Sequence, residues 1–403
     1  MTKAKLQRRL SLLQVVLYGL GVTIGAGIYA LVGGTIQIAG VYAPLSFMVA
    51  AIVMILPAAC FAELTGRLPF AAAEAHFVRA GLRSELLFTL VGVAVAMVGI
   101  ISAAAIAHGA VSYLSTLIPV PSWLLLLVII CLSGLASSLS IVTSVTIAGV
   151  LTVIEMAGLA LIVGSGFWAD VDFLHHAAQA IPTSFSFDLW GAILGASVVA
   201  FFAFIGFEDM DSIAEETRSP QKTLSLGIFL TLGITTILYI LVVLTILGTL
   251  SVEEASSSKA PLALVLERNS IFSGNIISVI ASFATLNGIV VQLLMASRVI
   301  FGLAREKRLP SILSQLSEKT QTPINASIFS TALTLAFANF FPILILAEWT
   351  AVITLMIFIL ICLSLAFIRY RNEPAPSGTF RVYAWVPIGG AVACSVLLMS
   401  ALI

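Results

Sequence analysis

Charged residues are scarce in this chain of 403 residues: 9% are Asp, Glu, Lys or Arg, against 60% hydrophobic residues, and the formal net charge is zero. A soluble domain carries about a quarter of charged residues, so this composition excludes an ordinary soluble enzyme or binding domain. The zero net charge gives no indication of a nucleic-acid partner. The mean hydropathy of +1.14 instead predicts a polytopic membrane protein.

Cysteine and histidine are also rare, with four residues of each type. The cysteines all lie in apolar segments: Cys60, Cys131, Cys362 and Cys394. Their spacing matches neither a disulfide framework nor a metal site, so we expect them to pack as small hydrophobic residues. His175 and His176 are adjacent, but no further His or Cys lies nearby to complete a metal site. We therefore expect neither a metal ion nor a cofactor.

Motifs of membrane enzymes, pumps and selective channels are missing as well. The sequence contains no H-E-x-x-H, no Gly-Lys pair of a P-loop and no T-V-G-Y-G filter. We therefore expect that the protein is not an enzyme. A membrane channel is the alternative of another class, and its conductance would far exceed the turnover of a carrier.

Membrane-length apolar segments fill the chain. Taking about 20 residues per crossing, we predict eleven spans at residues 13–35, 41–64, 86–117, 122–139, 141–168, 190–213, 223–250, 272–304, 325–341, 344–368 and 384–402. Positive residues accumulate in cytoplasmic loops. With the N-terminus inside, all 19 Lys and Arg except Lys259 and Arg268 fall on the inner side. We expect an all-α, multi-pass protein of the plasma membrane, of the prokaryotic inner-membrane type, with its C-terminus outside.

Two of the predicted spans are interrupted. Residues 21–29 (GVTIGAGIY) place three glycines in the first span, and residues 201–209 (FFAFIGFED) place a glycine and two carboxylates in the sixth. A spanning helix must satisfy its own backbone hydrogen bonds, so such breaks persist only where they face protein, water or a ligand. Paired interrupted spans in two halves of a chain indicate the central site of a secondary transporter.

The interrupted spans, the first and the sixth, each begin a set of five spans, so the chain has two equivalent halves. Because five is odd, the second half must enter the membrane from the opposite side, which makes the halves an inverted repeat. We predict a first repeat at 1–168, a second repeat at 169–370 and an additional eleventh helix at 371–403. The predicted fold is a leucine-transporter-like 5+5 inverted repeat with discontinuous helices 1 and 6.

The motifs around the breaks carry a family resemblance. GVTIGAGIY is similar to the first-helix signature G-x-x-I-G-x-G-I-F/Y of the amino acid-polyamine-organocation (APC) transporter superfamily, and FFAFIGFED resembles its sixth-helix pattern F-F-x-x-x-G-F/V-E. Ala62-Glu63-Leu64 with Pro69 resembles the end of the second helix. The chain departs from the family where a Gly-Gly pair is replaced by Ala72 and Ala73, and where a twelfth span is missing.

An interrupted helix offers binding groups to a zwitterion. A half-helix that begins after the first break presents free N–H groups at its positive end, which favours a carboxylate, and glycines let the ligand approach the backbone. Carbonyls freed at the second break can accept hydrogen bonds from an ammonium. The predicted substrate-binding residues, which the resemblance also implies, are Thr23, Ile24, Gly25, Ala26, Gly27, Ala203, Phe204, Ile205 and Gly206. The alternative is that the small residues merely allow close helix packing.

Three residues are predicted to couple or gate transport: Glu155, Glu208 and Phe204. Glu155 lies near the middle of the fifth span. Many members of the resembling family have a lysine at this position, in a pattern similar to T-x-I-K-L. A carboxylate at this depth is costly, so it is a functional candidate: a proton carrier, a ligand of a cation such as sodium, or a neutral hydrogen-bonding group. Glu208 could sense protons or form a gate, or it could stabilise a helix N-terminus. Phe204 could close over the substrate as an aromatic gate, or simply pack.

Other polar residues within the spans have less specific predictions. His108 could relay protons, but a lone histidine of this kind more often packs. Ser282, Thr285 and Asn287 could line the pathway or hold helices together.

The resemblance implies a secondary active transporter of amino acids that works by alternating access. The residues at the breaks form a small, apolar pocket, so we expect neutral amino acids with proton coupling or exchange. The alternative is a cationic amino acid or polyamine exchanger in which Glu208 or Asp209 pairs with the distal amine. The expected partners are the amino acid substrate, protons with sodium as the alternative ion, and the lipid bilayer; no nucleic acid is expected, and the oligomeric state is open.

Overall fold

A computed structural model describes residues 10–24, 27–68, 74–139, 145–210, 217–270, 272–317, 322–376 and 378–401. Within these ranges the chain folds into α-helices and short 3-10 turns. The β pairing among them is an isolated bridge between Leu10 and Thr217. The predicted all-α, polytopic fold is therefore confirmed for the described part of the chain.

The helices follow one another along the chain. The first eight are α1 (Leu12–Ile24), α2 (Gly27–Ala39), α3 (Ala43–Arg67), α4 (Glu74–Leu82), α5 (Glu85–Leu117), α6 (Ser122–Leu139), α7 (Val145–Trp168) and α8 (Phe173–Gln179). The next eight are α9 (Phe187–Phe202), α10 (Pro220–Thr249), α11 (Val252–Ser257), α12 (Pro261–Asn269), α13 (Asn275–Arg305), α14 (Ile324–Phe340), α15 (Ile343–Tyr370) and α16 (Val386–Ser400).

The apolar helices match the predicted spans. Seven described segments are long and apolar enough to cross a membrane, and four shorter apolar helices accompany them. The first predicted span is divided into α1 and α2, and α2 runs into α3 through a 3-10 turn at Gly40–Tyr42. Each later predicted span contains one apolar helix. The division into repeats at 1–168 and 169–370, with an added helix at 371–403, stays a prediction.

Local sequence signals set several helix ends. Ser84 precedes α5, and its hydroxyl accepts a hydrogen bond from the Leu87 N–H at 3.2 Å. Ser251 and Glu254 form a capping box at the start of α11, so each satisfies a backbone donor that the helix leaves free. Pro220 opens α10, where its missing N–H costs no hydrogen bond within the helix.

Residues 251–270 follow α10 and form a helical connection. It folds into α11 and α12, and α12 buries Leu262, Val265 and Leu266. These side chains pack toward α7 and α13. The apolar positions of α12 recur at helical spacing, so a short amphipathic helix covers this end of the bundle.

The interrupted spans lie at the centre of the bundle. α1 packs against α7 and α10, and α2 packs against α9. α13 lies along α5, and α3 along α10, so continuous helices surround both breaks. The environment of the breaks is therefore protein rather than lipid, as an interrupted helix in a membrane requires.

We call the end of the bundle that carries α4 the α4 end. A buried ion network lies at this end. Glu63 has no exposed surface, and its carboxylate accepts hydrogen bonds from Arg67 Nε at 3.0 Å, Arg369 Nε at 3.1 Å and the Val382 N–H at 2.9 Å. Arg371 donates to two backbone carbonyls of α4. These bonds fix α3, α4, α15 and the segment before α16 to one another.

Candidate functional site

The first interruption falls within the predicted residues 21–29. α1 ends at Ile24 and α2 begins at Gly27, and the side chains of Thr23 and Ile24 are buried. The predicted binding residues Gly25 and Ala26 lie outside the described residues. The last carbonyls of α1 and the first N–H groups of α2 lack partners within their own helices, so polar backbone is presented in the middle of the bundle.

The second interruption requires a glycine. α9 ends at Phe202, and residues 203–206 form turns before a short 3-10 turn at 207–210. Gly206 has a φ of +126°, which L side chains rarely adopt, and a Cβ at this position would lie 2.8 Å from the Val22 carbonyl oxygen. Glycine supplies both the conformation and the space. The backbone of the second break therefore lies directly on the end of α1.

The two breaks contact each other through their backbones. A Cβ on Gly27 would lie 2.4 Å from the Cα of Ala203. The hydroxyl of Tyr239, in α10, lies 3.1 Å from the Thr23 carbonyl oxygen and 2.9 Å from the Ala203 carbonyl oxygen. A hydroxyl has one proton to donate, so the two carbonyls share it. Tyr239 therefore bridges the two interrupted spans.

A small cavity lies between the breaks and two continuous helices. Its wall includes three of the predicted binding residues, Thr23, Gly27 and Ile205, and three polar side chains of α5 and α13, Ser102, Asn287 and Gln292. About 20 Å³ of the cavity is open to a water molecule, which is room for about one. An amino acid would therefore need the surrounding helices to separate.

Two buried polar side chains beside the breaks lack hydrogen-bond partners among the described residues. One is the hydroxyl of Thr23, at the end of α1. The other is the carboxyl of Glu155, in α7, of which both oxygens are unpartnered and 1% of the residue surface is exposed. Buried polar groups usually have partners, and each exception requires an explanation. A polar ligand or ion at this site would provide one.

Tyrosines hold Glu155 next to the first break. The Tyr29 hydroxyl, from α2, donates to the main-chain carbonyl of Glu155 at 2.9 Å. The Tyr113 hydroxyl, from α5, donates to the Tyr29 carbonyl at 3.2 Å. The side-chain amide of Asn287, in α13, faces the Glu155 carboxyl. The predicted coupling residue therefore lies where three helices meet at the break.

Glu208 stabilises the backbone of the second break. Its Oε2 accepts a hydrogen bond from the Gly206 N–H at 2.9 Å, and 8% of its surface is exposed. The carboxylate therefore satisfies a backbone donor of the turn, and its stabilisation of a helix N-terminus stays a prediction. Its role as a proton sensor or gate stays a prediction.

Phe204 packs beside the cavity without lining it. Its buried ring lies 5.2 Å from the Tyr239 ring and 6.4 Å from the Phe47 ring, between centroids. Phe202, which precedes the break, lines the cavity instead. The gate assigned to Phe204 stays a prediction, and Phe202 is an aromatic residue of the site that the sequence did not single out.

Of the other polar residues predicted within the spans, His108, Ser282 and Thr285 lie within hydrogen-bonding distance of backbone carbonyls. His108 Nε2 lies 3.2 Å from the Phe341 carbonyl oxygen. Ser282 and Thr285 donate to carbonyls of their own helix, whereas Asn287 lines the cavity. Within the described ranges, no group of three or more His, Cys, Asp or Glu is placed to hold a metal ion.

The sequence did not identify Tyr239, Ser102 or Gln292 as site residues. The sequence could have indicated Tyr239, since its side chain carries a hydroxyl within the long apolar run of α10. Ser102 and Gln292 lie on continuous helices, where a lone polar residue is ambiguous. Their proximity to the breaks follows from the packing of α5 and α13.

Interrupted helices that meet within a bundle of apolar helices are typical of the central site of membrane transporters. The chain belongs to the amino acid permease family, whose model matches residues 10–403. This match confirms the resemblance to the APC transporters, and the family is one of permeases rather than enzymes.

Individual relatives cover most of the chain. It is 30% identical over 396 residues to the vacuolar cationic amino acid transporter 4 of Arabidopsis thaliana, a match of 91% of this chain and 64% of that protein. It is 26% identical over 399 residues to the branched-chain amino acid permease BcaP of Bacillus subtilis, covering 92% and 83%. Human cationic amino acid transporter 4 is 25% identical over 397 residues, covering 93% and 62%. The chain thus spans somewhat less than two thirds of the length of several of these relatives.

Proposed function

We propose that this chain carries amino acids across a membrane by alternating access around the two interrupted spans. The observation that carries the proposal is the direct backbone contact of the breaks, with Gly27 on Ala203 and Gly206 on Val22. Free helix ends at such a contact can form hydrogen bonds with the α-carboxylate and the α-ammonium that all amino acids share. Membership of the amino acid permease family and the names of its relatives support the same function.

The α-carboxylate of the substrate binds at the start of α2. N–H groups at a helix N-terminus favour an anion there, and the unpartnered Thr23 hydroxyl is a further donor beside them. The α-ammonium binds the carbonyls of the second break. The Ala203 carbonyl accepts from Tyr239 in this conformation, so the ammonium takes the place of the Tyr239 proton.

Glu155 couples transport to protons. An unpaired carboxylate in the membrane interior is costly, and the Glu155 carboxyl, which the Asn287 amide faces, makes no hydrogen bond of normal geometry with the described residues. The carboxyl therefore carries a proton while it is buried and releases it when the pathway beside it opens to water. Sodium is the alternative ion, with the Glu155 oxygens as ligands of the cation.

Neutral amino acids are the first candidate substrates. Much of the cavity wall is aliphatic, including Val22, Ile106, Ile205 and Val291. Such a wall favours an apolar side chain. One of the relatives, the Bacillus subtilis protein, is named a branched-chain amino acid permease.

Cationic amino acids are the second candidate. Glu208 lies two residues beyond Gly206 and is buried beside the break. A carboxylate in this position could pair with a distal ammonium, and such charge-assisted hydrogen bonds are strong. The Arabidopsis and human relatives are named cationic amino acid transporters.

The α4 end faces the cytoplasm in this proposal. Lys and Arg at this end include Arg67, Arg79, Arg305 and Arg369, whereas Lys259 and Arg268 lie near α11 and α12 at the other end. The asymmetry follows the positive-inside rule. The N-terminus is then cytoplasmic, and the membrane is the plasma membrane.

Thermal stabilisation tests the substrate. The purified chain in detergent is screened with the twenty amino acids, and a substrate raises the Tm in a concentration-dependent way. Hits are then measured for flux in proteoliposomes with and without a pH gradient. We expect saturable uptake that follows the gradient. If no amino acid or amine raises the Tm or moves across the membrane, the proposed function is wrong.

The variant Glu155→Gln tests the coupling. It keeps the shape of the side chain and removes the titrating proton, so uptake should lose its dependence on the pH gradient. The matched control is Glu267→Gln, the same change at an exposed residue of α12. Uptake by Glu155→Gln that still follows the pH gradient refutes the proton carrier, and a sodium requirement would identify the alternative ion.

A further inference from the structure

Three cavities follow one another from the breaks toward the α4 end. The cavity at the breaks shares Ile205 and Gln292 with a second cavity of about 30 Å³, which Glu74 and Glu208 line and which we call the acidic chamber. The acidic chamber shares Met295 with a third, open cavity of about 440 Å³ beside α4. The three cavities therefore lie in a row between the proposed substrate site and the α4 end of the bundle.

The acidic chamber presents more acceptors than donors. Glu74, Glu208 and Asp209 line it, and 4%, 8% and 4% of their surfaces are exposed. No Lys or Arg of the described ranges lines the chamber with them. Thr354, from α15, lines it as well; this residue is 2% exposed, and its hydroxyl has no hydrogen-bond partner in the part of the chain that the structure describes. The unpartnered hydroxyl and the buried carboxyls together indicate a place for a donor-rich ligand.

Burial raises the pKa of Glu74 to about 7. The residue opens α4, outside the membrane-spanning helices, and removal of its carboxylate from water disfavours the charged form. At neutral pH, Glu74 therefore exchanges a proton readily. A cation that enters the chamber can replace this proton at little cost.

We propose that the acidic chamber binds the terminal ammonium group of a basic amino acid whose α-groups occupy the breaks. An ammonium has three N–H donors, and the carboxyl oxygens of Glu74 and Glu208 with the hydroxyl of Thr354 supply acceptors. This inference rests on the proposed function and deepens it, because it assigns the side-chain specificity to a residue of α4.

The dimensions favour an ammonium over a guanidinium. An ammonium is about the size of a water molecule, and the chamber of about 30 Å³ has room for little more. The planar guanidinium of arginine is larger. The chamber and the break cavity share Ile205 and Gln292 in their linings, so the separation of the helices that admits an amino acid also joins the two cavities beside these residues. Among basic amino acids, lysine and ornithine are therefore preferred over arginine.

Ligand pairs test the chamber in the whole, purified chain. Dissociation constants are taken from the concentration dependence of the Tm in detergent with L-lysine and with L-norleucine, which has the same chain without the terminal ammonium. A hydrogen bond to a charged group contributes about 1.5–3 kcal/mol, so lysine should bind about 10-fold to 150-fold more tightly. Cadaverine, an amine without the α-groups, is the third ligand.

Two variants test which residues distinguish lysine from norleucine. Glu74→Gln and Thr354→Val should each remove most of the advantage of lysine and leave the affinity for norleucine unchanged. Glu267→Gln, on the exposed face of α12, is the matched control and should change neither ligand. Thr354→Val keeps the side-chain shape, so it tests the chamber even if Glu74→Gln does not fold. Stabilisation by cadaverine that Glu74→Gln abolishes also supports the chamber and identifies free amines as ligands.

Equal affinity for lysine and norleucine in the native chain overturns the inference. So does a Glu74→Gln variant that weakens both ligands by the same factor, since Glu74 would then act on the fold rather than on the ammonium. Both results leave amino acid binding intact. They are distinguishable from failure of the proposed function, in which no amino acid stabilises the chain.

Discussion

Replacement of Tyr239 by Phe removes the hydroxyl that bridges the two interrupted spans. The residue is fully buried, and its ring packs 5.8 Å from the Phe47 ring and 5.2 Å from the Phe204 ring, between centroids. Phenylalanine keeps these ring contacts. The change therefore isolates the hydrogen bonds to the Thr23 and Ala203 carbonyls.

The expected cost follows from the shared proton. Because one proton serves two carbonyls, we count one hydrogen bond lost with its acceptor left buried, which costs about 1–3 kcal/mol. An unfolding entropy of about 2.1 cal/mol/K per residue gives about 0.85 kcal/mol/K for the 403 residues. The Tm of Tyr239→Phe should therefore fall by about 1–4 °C.

The assay is thermal unfolding of the ligand-free protein in detergent, with Tyr113→Phe as the control. Tyr113 is also buried, and its hydroxyl donates to the Tyr29 carbonyl at 3.2 Å and lies beside the backbone of Leu262. This carbonyl lies within the continuous helix α2, which supplies its own hydrogen bonds, so the control should lose less stability. A Tm of Tyr239→Phe equal to that of the native chain, or a larger loss in the control, refutes the bridge.

Other features give further predictions. Gly206→Ala places a Cβ against backbone at a φ of +126°, so the variant should lose substrate-induced stabilisation, whereas an unchanged substrate Kd contradicts this requirement for glycine. Glu63→Gln removes a buried charge that two arginines share, and we expect a loss of about 3–5 kcal/mol in denaturant unfolding; a loss under 1 kcal/mol contradicts it. Arg268 holds the pKa of Glu254 at about 2, below its unfolded value. The stabilisation from this pair is therefore fully present at pH 7, begins to decline as the pH falls below the unfolded value of 4.5, and is lost as the pH falls through about 2. The Tm difference between native chain and Arg268→Gln checks it, and a difference that vanishes by pH 4 refutes it.

The positions of the spans and of both breaks were predictable from the sequence. Long apolar runs have few alternatives in a membrane. Gly206 followed by two carboxylates disrupts such a run visibly, and the structure shows why the glycine is needed, since its φ is positive and Val22 lies against it. These features are local, so the sequence carries them directly.

The partners of the breaks were not predictable. Tyr239 lies 36 residues from Ala203 and 216 from Thr23, and its bridge depends on how α10 packs against α1 and α3. The acidic chamber is similar, because Glu74 and Thr354 meet only through the packing of α4 on α15. A lone polar residue in a helix does not reveal which neighbour it faces.

The Tyr239 bridge also bears on how tightly a substrate can bind. The Ala203 carbonyl accepts a hydrogen bond from the tyrosine, so in the proposed binding mode the substrate ammonium exchanges one hydrogen bond for another. The net gain at this carbonyl is then small, and departure of the ammonium is compensated by return of the hydroxyl. A transporter must release its substrate. Competition between the Tyr239 hydroxyl and the substrate ammonium for the Ala203 carbonyl keeps the substrate from binding too tightly to be released.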